Sequence, residues 1–164
     1  MTTTTKATTG EAATRRSLVG AALLLVLCAA LSLAASVGAS NASLRLILDR
    51  WSRKIGADAR SLSLAAQHRH PRRMTTRALR FTADARRARK AIATQRASTA
   101  SGAHARRLAL RAFSNYAAAG RRWAASGRAR LTGQRSVSSR DARGAARYAR
   151  AGNRLLVSAG RLLR

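Results

Sequence analysis

The chain has 164 residues and a net charge of +28, because 33 lysines and arginines stand against only five carboxylates. The single cysteine, Cys28, excludes an intrachain disulfide, and valine, isoleucine, leucine and phenylalanine together number only 20 after residue 43. A large dry core is therefore excluded, and a surface that attracts polyanions is expected.

An uncharged run extends from Ser17 to Ser43 and follows directly on Arg15 and Arg16. A positive segment, an apolar stretch and then small residues are typical of a secretory signal peptide. Two small-x-small cleavage sites end at Ala39 and Ala42. The run therefore predicts export, with cleavage after one of these two alanines.

A retained membrane anchor is the alternative. The strongly apolar part, residues 18–33, is shorter than the roughly 20 residues of a spanning helix, but read as far as Ala39 the run could span uncleaved. Residues 14–19 resemble the twin-arginine export motif, so general and twin-arginine export both stay open. If the anchor is retained, the basic residues just behind it favour a cytoplasmic domain. These residues are Arg45, Arg50, Arg53 and Lys54.

The chain thus divides into a disordered basic leader at 1–16, a signal or anchor segment at 17–43, and a basic domain at 44–164. In the basic domain 30 lysines and arginines stand against four aspartates. Alanine has the best helix propensity and arginine is close behind. We therefore predict an all-α domain of three or four amphipathic helices in a small antiparallel bundle.

Apolar residues recur every three or four positions in four stretches, which indicates one buried stripe on each helix. The first stripe is Leu44, Leu48, Trp51, Ile55, Ala59, Leu62 and Ala66. The second is Met74, Ala78, Phe81, Ala85, Ala88 and Ile92. The third is Ala109, Phe113, Tyr116, Gly120, Trp123 and Gly127. The fourth is Ala145, Tyr148, Gly152, Leu155, Ala159 and Leu162.

Turn and capping residues predict where these helices end. The only proline, Pro71, separates the first two helices, and Ser101-Gly102 indicates the end of the second. Gly133 is a C-terminal stop for the third helix. Ser138 and Asp141 have the spacing of a capping box and predict the start of the fourth.

The third and fourth helices repeat each other at an offset of 32 residues, over about 111–131 and 143–163. Both copies contain the pattern Tyr-Ala-x-Ala-Gly-x-Arg-x-x-x-Ser. A glycine on an apolar stripe lets another backbone approach, so the repeat predicts close helix packing, within one chain or between two; the oligomeric state stays open. The predicted packing residues are Tyr116, Gly120, Trp123, Tyr148, Gly152 and Leu155.

No pattern in the sequence favours catalysis or a cofactor. The aspartates after residue 43 are scattered, and no serine lies in a nucleophile-elbow context. His68, His70 and His104 lack further ligands, and neighbouring arginines repel a cation. We therefore expect a non-enzymatic protein without cofactor or metal, in which the paired histidines belong to a solvated basic loop.

A dense basic face lies opposite the second stripe, and its side chains are the candidate anion ligands. They are Arg77, Arg80, Arg86, Arg87, Arg89 and Lys90. The aromatic residues fall instead on the apolar stripes, so we interpret them as core and not as stacking platforms for bases.

The sequence therefore predicts a secreted or cell-envelope protein, or else a single-pass membrane protein. Its arginine-rich faces are expected to bind anionic lipid or an anionic envelope polymer, with nucleic acid as a further candidate. One alternative is a membrane-anchored binder of DNA or RNA that faces the cytoplasm. Another is a helical structural or partner-binding module whose charge reflects codon bias.

Overall fold

The computed structural model describes residues 39–164, with side chains from Asn41 onward, and this part of the chain is helical without strands. It contains four helices: α1 (Ala39–Gln67), α2 (Pro71–Ala93), α3 (Ala100–Leu131) and α4 (Arg135–Arg161). The leader, most of the signal or anchor segment, and Arg15 and Arg16 lie outside the described residues.

The four helices pack in chain order. α1 packs chiefly on α2, α2 on α3, and α3 on α4, so that α3 lies between two neighbours. Short connections make consecutive helices antiparallel. For α2 and α3, Gly127 lies close to Thr75 near one end of α2, and the Arg106 side chain donates to the Ile92 carbonyl near the other end. The predicted all-α helical bundle is confirmed.

The second and third apolar stripes are buried at every position. In the first stripe Leu44, Leu48, Ile55 and Leu62 are buried, and the remaining three residues pack against the core from its edge. Aromatic rings meet edge to face at the centre, a favourable geometry for ring pairs. Phe81 lies 6.1 Å from Tyr116 and 5.6 Å from Trp123 between ring centroids.

The fourth stripe is rotated from its predicted position. Its buried residues are Ala145, Ala149, Gly152, Leu156, Ala159 and Leu163. The predicted members Tyr148 and Leu162 are instead more than a third exposed, and Leu155 is only partly buried. α4 turns mainly small side chains toward α3, which brings the two backbones closer and leaves Tyr148 and Leu162 at the edge.

Two predicted helix ends are wrong. α2 ends at Ala93, well before Ser101-Gly102, because the Thr99 side chain accepts a hydrogen bond from the Gly102 backbone N–H and so caps α3. α4 begins at Arg135 and not at the Ser138 capping box. The Ser138 hydroxyl is buried 3.0 Å from the Ser126 hydroxyl, so it joins two helices instead of capping one.

The turns after α1 and α3 share one capping geometry, in which a residue with positive φ follows the helix. At the end of α3 this residue is Gly133, with φ of 73°, and the next N–H donates to Ala129 O at 2.8 Å. At the end of α1 it is Arg69, with φ of 52°, and the next N–H donates to Ala65 O at 3.1 Å. Gly133 therefore ends α3, as its place in the sequence predicts.

Because a side chain in this conformation is strained by about 1 kcal/mol, the two turns predict opposite responses. Arg69→Gly raises the free energy of unfolding by about 1 kcal/mol, and Gly133→Ala lowers it by a similar amount. Denaturant titration followed by circular dichroism measures both changes. Arg69→Ala is the control, because it removes the charge and keeps the strain. A gain as large for Arg69→Ala as for Arg69→Gly would show that charge, and not backbone strain, sets the stability here.

Glycines bring α2 and α3 into close contact. A Cβ added at Gly120 would lie 2.2 Å from Thr82 Oγ1 and 3.0 Å from the Ala78 carbonyl oxygen. Seven residues along α3, a Cβ added at Gly127 would lie 2.3 Å from Thr75 Oγ1. Both threonine hydroxyls bond the carbonyl four residues earlier on α2, so they lie flat against that helix.

Gly120→Ala is expected to lower the free energy of unfolding by about 1–3 kcal/mol, since overpacking outweighs the gain in helix propensity. Thr82→Ala removes the nearest obstructing atom, so the double variant recovers part of the loss. A thermodynamic cycle of the two single variants and the double variant measures this coupling. If the two effects simply add, the contact between Gly120 and Thr82 does not limit the approach of the helices.

Candidate anion-binding surfaces

The six predicted anion ligands on α2 are all exposed, but they differ in their surroundings. Arg80 and Arg87 pair with carboxylates: Arg80 Nε lies 3.6 Å from Asp58 Oδ1, and Arg87 Nη1 lies 3.2 Å from Asp84 Oδ1. For the other four, no ion pair is found within residues 41–164. These four are Arg77, Arg86, Arg89 and Lys90. The α2 basic face is therefore partly neutralised by the protein itself.

A buried pair of carboxylates joins α1 to α2. Asp84 is only 2% exposed, and Lys54 Nζ from α1 lies 3.0 Å from its Oδ2. Asp58 on α1 also lies near this lysine, because Lys54 Nζ is 3.8 Å from its Oδ2. That Oδ2 is buried without a hydrogen-bond partner in the described structure. The cluster thus contains one well-paired carboxylate and one poorly paired carboxylate.

The two carboxylates have opposite pKa shifts. Burial and the neighbouring Asp84 carboxylate raise the pKa of Asp58, and the charges of Lys54 and Arg80 offset this only in part. Burial alone would raise the pKa of Asp84 too, but the hydrogen bond with Lys54 and the positive charges of Lys54 and Arg87 lower it. The folded state therefore favours the ionised form of Asp84 and disfavours the ionised form of Asp58.

Neutral amide substitutions at these positions are expected to have opposite effects at pH 7. Asp84→Asn lowers the free energy of unfolding by about 1–3 kcal/mol, because Lys54 loses its nearest charged partner. Asp58→Asn raises it by about 1 kcal/mol, because a poorly paired buried charge is removed. Denaturant titrations at pH 7 compare both variants with the wild-type protein.

The pH dependence of these differences follows from the direction of each pKa shift. The stability supplied by Asp84 is present above its ordinary pKa and is lost as the pH falls through its lowered folded-state pKa. The gain from Asp58→Asn shrinks as the pH falls through the raised pKa of Asp58, since protonation then neutralises the wild-type side chain. A destabilising Asp58→Asn at pH 7 would contradict this assignment.

A second basic surface, which the sequence analysis did not single out, lies on α4. It is a row of exposed arginines, here called the α4 row: Arg140, Arg143, Arg147, Arg150 and Arg154. Steps of three and four residues place all five on one side of the helix, opposite the buried Ala145, Gly152 and Ala159. The sequence contains a signal for this row, because its arginines recur at steps of three and four residues, as the apolar residues of the fourth stripe do.

The α4 row has no internal counter-charge among the described residues. The only carboxylate of α4 is Asp141, which turns toward α3 and lies 3.2 Å from Arg122 Nη1. Arg122 also lies over the Tyr148 ring, 5.7 Å from its centroid, and its side chain covers Gly144. Asp141 is thus engaged at the α3–α4 junction and does not neutralise the row.

The predicted packing residues fall into two positions. Tyr116, Gly120 and Trp123 are buried in the centre of α3, and burial raises the pKa of Tyr116. On α4, a Cβ added at Gly152 would lie 2.9 Å from the Tyr116 ring and 3.0 Å from the Ala112 carbonyl oxygen. Tyr148 and Leu155 lie at the edge of the same interface. The two copies of the repeat are therefore not equivalent: Gly120 contacts α2, and Gly152 contacts α3.

The start of α1 contributes a buried polar group. Asn41 is 5% exposed, and its side-chain amide donates to Thr99 Oγ1 at 2.9 Å. Gly102 provides the space for it, because a Cβ there would lie 2.3 Å from Asn41 Oδ1. The predicted cleavage residues Ala39 and Ala42 thus flank a side chain that fastens α1 to the first turn of α3.

His68 and His70 lie in the exposed α1–α2 connection with their ring centroids 6.3 Å apart. Across residues 39–164, no three histidine, cysteine or acidic side chains lie close enough together to hold a metal ion. None of the four described helices has the combination of length and apolar character that a membrane span requires.

Comparisons with protein-family models, with curated proteins and with solved structures found no match to this chain. The described part of the chain is therefore characterised by its own structure alone, as an all-α helical bundle with exposed arginines on each of its four helices.

Proposed function

We propose that this chain is an exported or membrane-tethered, non-enzymatic helical protein that binds anionic surfaces or polymers of the cell envelope through its arginine-rich faces. The observation that carries the proposal is an imbalance of charge. Of the four aspartates after residue 43, Asp58, Asp84 and Asp141 are engaged with cations of the bundle itself. Most of the 30 lysines and arginines in this region have no such partner.

An uncompensated basic surface attracts polyanions and repels itself. Binding an anion relieves that repulsion, so it stabilises the folded state as well as forming a complex. The buried aromatic rings of α2 and α3 argue against base stacking. For these reasons we favour phosphate or carboxylate groups as the recognised chemistry over the bases of nucleic acids.

Export is the second part of the proposal and rests on the uncharged run and its basic flank. The buried Asn41 supports the earlier of the two cleavage sites. Cleavage after Ala42 removes Asn41 and leaves the space beside Gly102 empty, whereas cleavage after Ala39 retains the hydrogen bond with Thr99. We therefore propose Ser40 as the first residue of the mature protein.

Intact mass spectrometry of the protein recovered from fractionated cells tests this proposal. We expect a product that begins at Ser40 in the medium or envelope fraction. A full-length product in the membrane fraction would show that the segment is retained as an anchor and is not cleaved. Protease added to intact cells would then establish on which side of the membrane the bundle lies. A full-length product confined to the cytoplasm would contradict export.

Binding is tested separately with lipid vesicles. The purified protein is expected to co-sediment with phosphatidylglycerol-containing vesicles and not with pure phosphatidylcholine vesicles, and added salt is expected to release it. Co-sedimentation that is equal for both vesicle types, or that does not change with salt, would overturn the electrostatic proposal and favour a partner-binding module.

A further inference from the structure

The α4 row differs in shape from the α2 basic face. Its five arginines recur at steps of three, four, three and four residues. They extend for about 21 Å along the helix axis, with about 5 Å between successive charges. The side chains opposite the row, such as Gly152 and Ala159, are buried against α3. The row is therefore a narrow ridge of positive charge that points away from the rest of the bundle.

The same spacing makes the row electrostatically unfavourable in the free protein. Like charges three or four residues apart on a helix repel each other and destabilise it. On α2, by contrast, Asp84 lies among the basic residues and pairs with Arg87 and Lys54. α4 has no equivalent, because Asp141 faces Arg122 on α3. The α4 row thus has more to gain from an external anion than the α2 basic face has.

The position of α4 in the bundle leaves this ridge accessible. α4 packs chiefly on α3 and lies at one side of the helix array. Its buried apolar side chains, including Leu156, lie on the opposite side of the helix from the row. Insertion into a bilayer would therefore require α4 to leave the bundle. A single file of charges fits a chain of phosphates better than a broad membrane plane.

We propose that the α4 row binds a linear polymer of repeating phosphate groups, such as polyphosphate or a poly(glycerol phosphate), which lies along the helix. This inference rests on the proposed function and narrows it to one surface and one class of ligand. The arginine guanidinium groups hydrogen-bond successive phosphates, and the bound chain replaces the repulsion within the row by attraction.

Isothermal titration calorimetry with sodium polyphosphate tests the assignment. The test variant is R143Q/R147Q/R150Q/R154Q, and the matched control on α2 is R77Q/R86Q/R89Q/K90Q. Each removes four positive charges, and neither changes a residue of the Asp58–Asp84 cluster. Glutamine keeps the helix propensity. Circular dichroism and thermal unfolding establish that both variants fold.

We expect the α4 variant to bind polyphosphate at least about tenfold more weakly than the α2 control does. We also expect the slope of log affinity against log salt to become shallower by roughly three, as for four lost phosphate contacts to a single strand. If a quadruple variant does not fold, R147Q/R150Q is compared with R86Q/R89Q instead. Equal weakening in the two variants overturns the inference, because total charge then explains binding.

The wild-type protein separates failure of this inference from failure of the proposed function. Binding to phosphatidylglycerol vesicles without binding to polyphosphate overturns the inference and leaves a membrane-surface protein. Binding to neither overturns the proposed function itself. Binding to single-stranded DNA more tightly than to polyphosphate of equal charge overturns the ligand class in favour of nucleic acid.

Discussion

The close approach of helix backbones is the constraint on which the structure depends. With few large apolar side chains available, α2, α3 and α4 gain burial by packing through glycine and alanine. Gly120 lies against the Ala78 carbonyl and Gly152 against the Ala112 carbonyl, and a Cβ added at either glycine would lie 3.0 Å from that carbonyl oxygen. Short distances between backbones replace side-chain volume as the source of dispersion contacts. The aromatic rings of Phe81, Phe113, Tyr116 and Trp123 fill the centre that remains.

This form of packing decides where the charge lies. Interfaces built from alanine and glycine have no room for arginine, so the guanidinium groups occupy the outer faces of all four helices. α1 has fewer small residues in its stripe and adds two polar attachments: Asn41 at its start bonds Thr99, and Lys54 near its middle bonds Asp84. Three of the four aspartates after residue 43 pair with cations of the bundle itself, which leaves most of the outer positive charge uncompensated.

The sequence predicted the helices and the central stripes because apolar periodicity is a local property. It failed where a contact with another helix decides the outcome. Ser138 has the spacing of a capping residue, but its bond with Ser126 exists only once α3 and α4 are paired in register. The rotation of α4 away from Tyr148 has the same origin, since helical periodicity fixes a stripe only to within about one residue.

The candidate anion-binding surfaces also combine features that follow from local sequence with features that depend on contacts between helices. The exposure of the α2 arginines follows from the helical pattern, but the pairing of Arg80 with Asp58 depends on the alignment of α1 with α2. That alignment distinguishes a partly neutralised face from the unneutralised α4 row. The opposite pKa shifts of Asp58 and Asp84 are likewise a property of the assembled bundle, and neither carboxylate can be distinguished from the other in sequence.

Taken together, the small-residue core and the uncompensated surface make folding and anion binding interdependent. The most direct test is the thermal unfolding midpoint of the purified protein, measured with and without sodium polyphosphate at low and at high sodium chloride concentration. We predict that polyphosphate raises the midpoint at low salt and that high salt abolishes this increase. A midpoint that saturating polyphosphate does not change at low salt would contradict it.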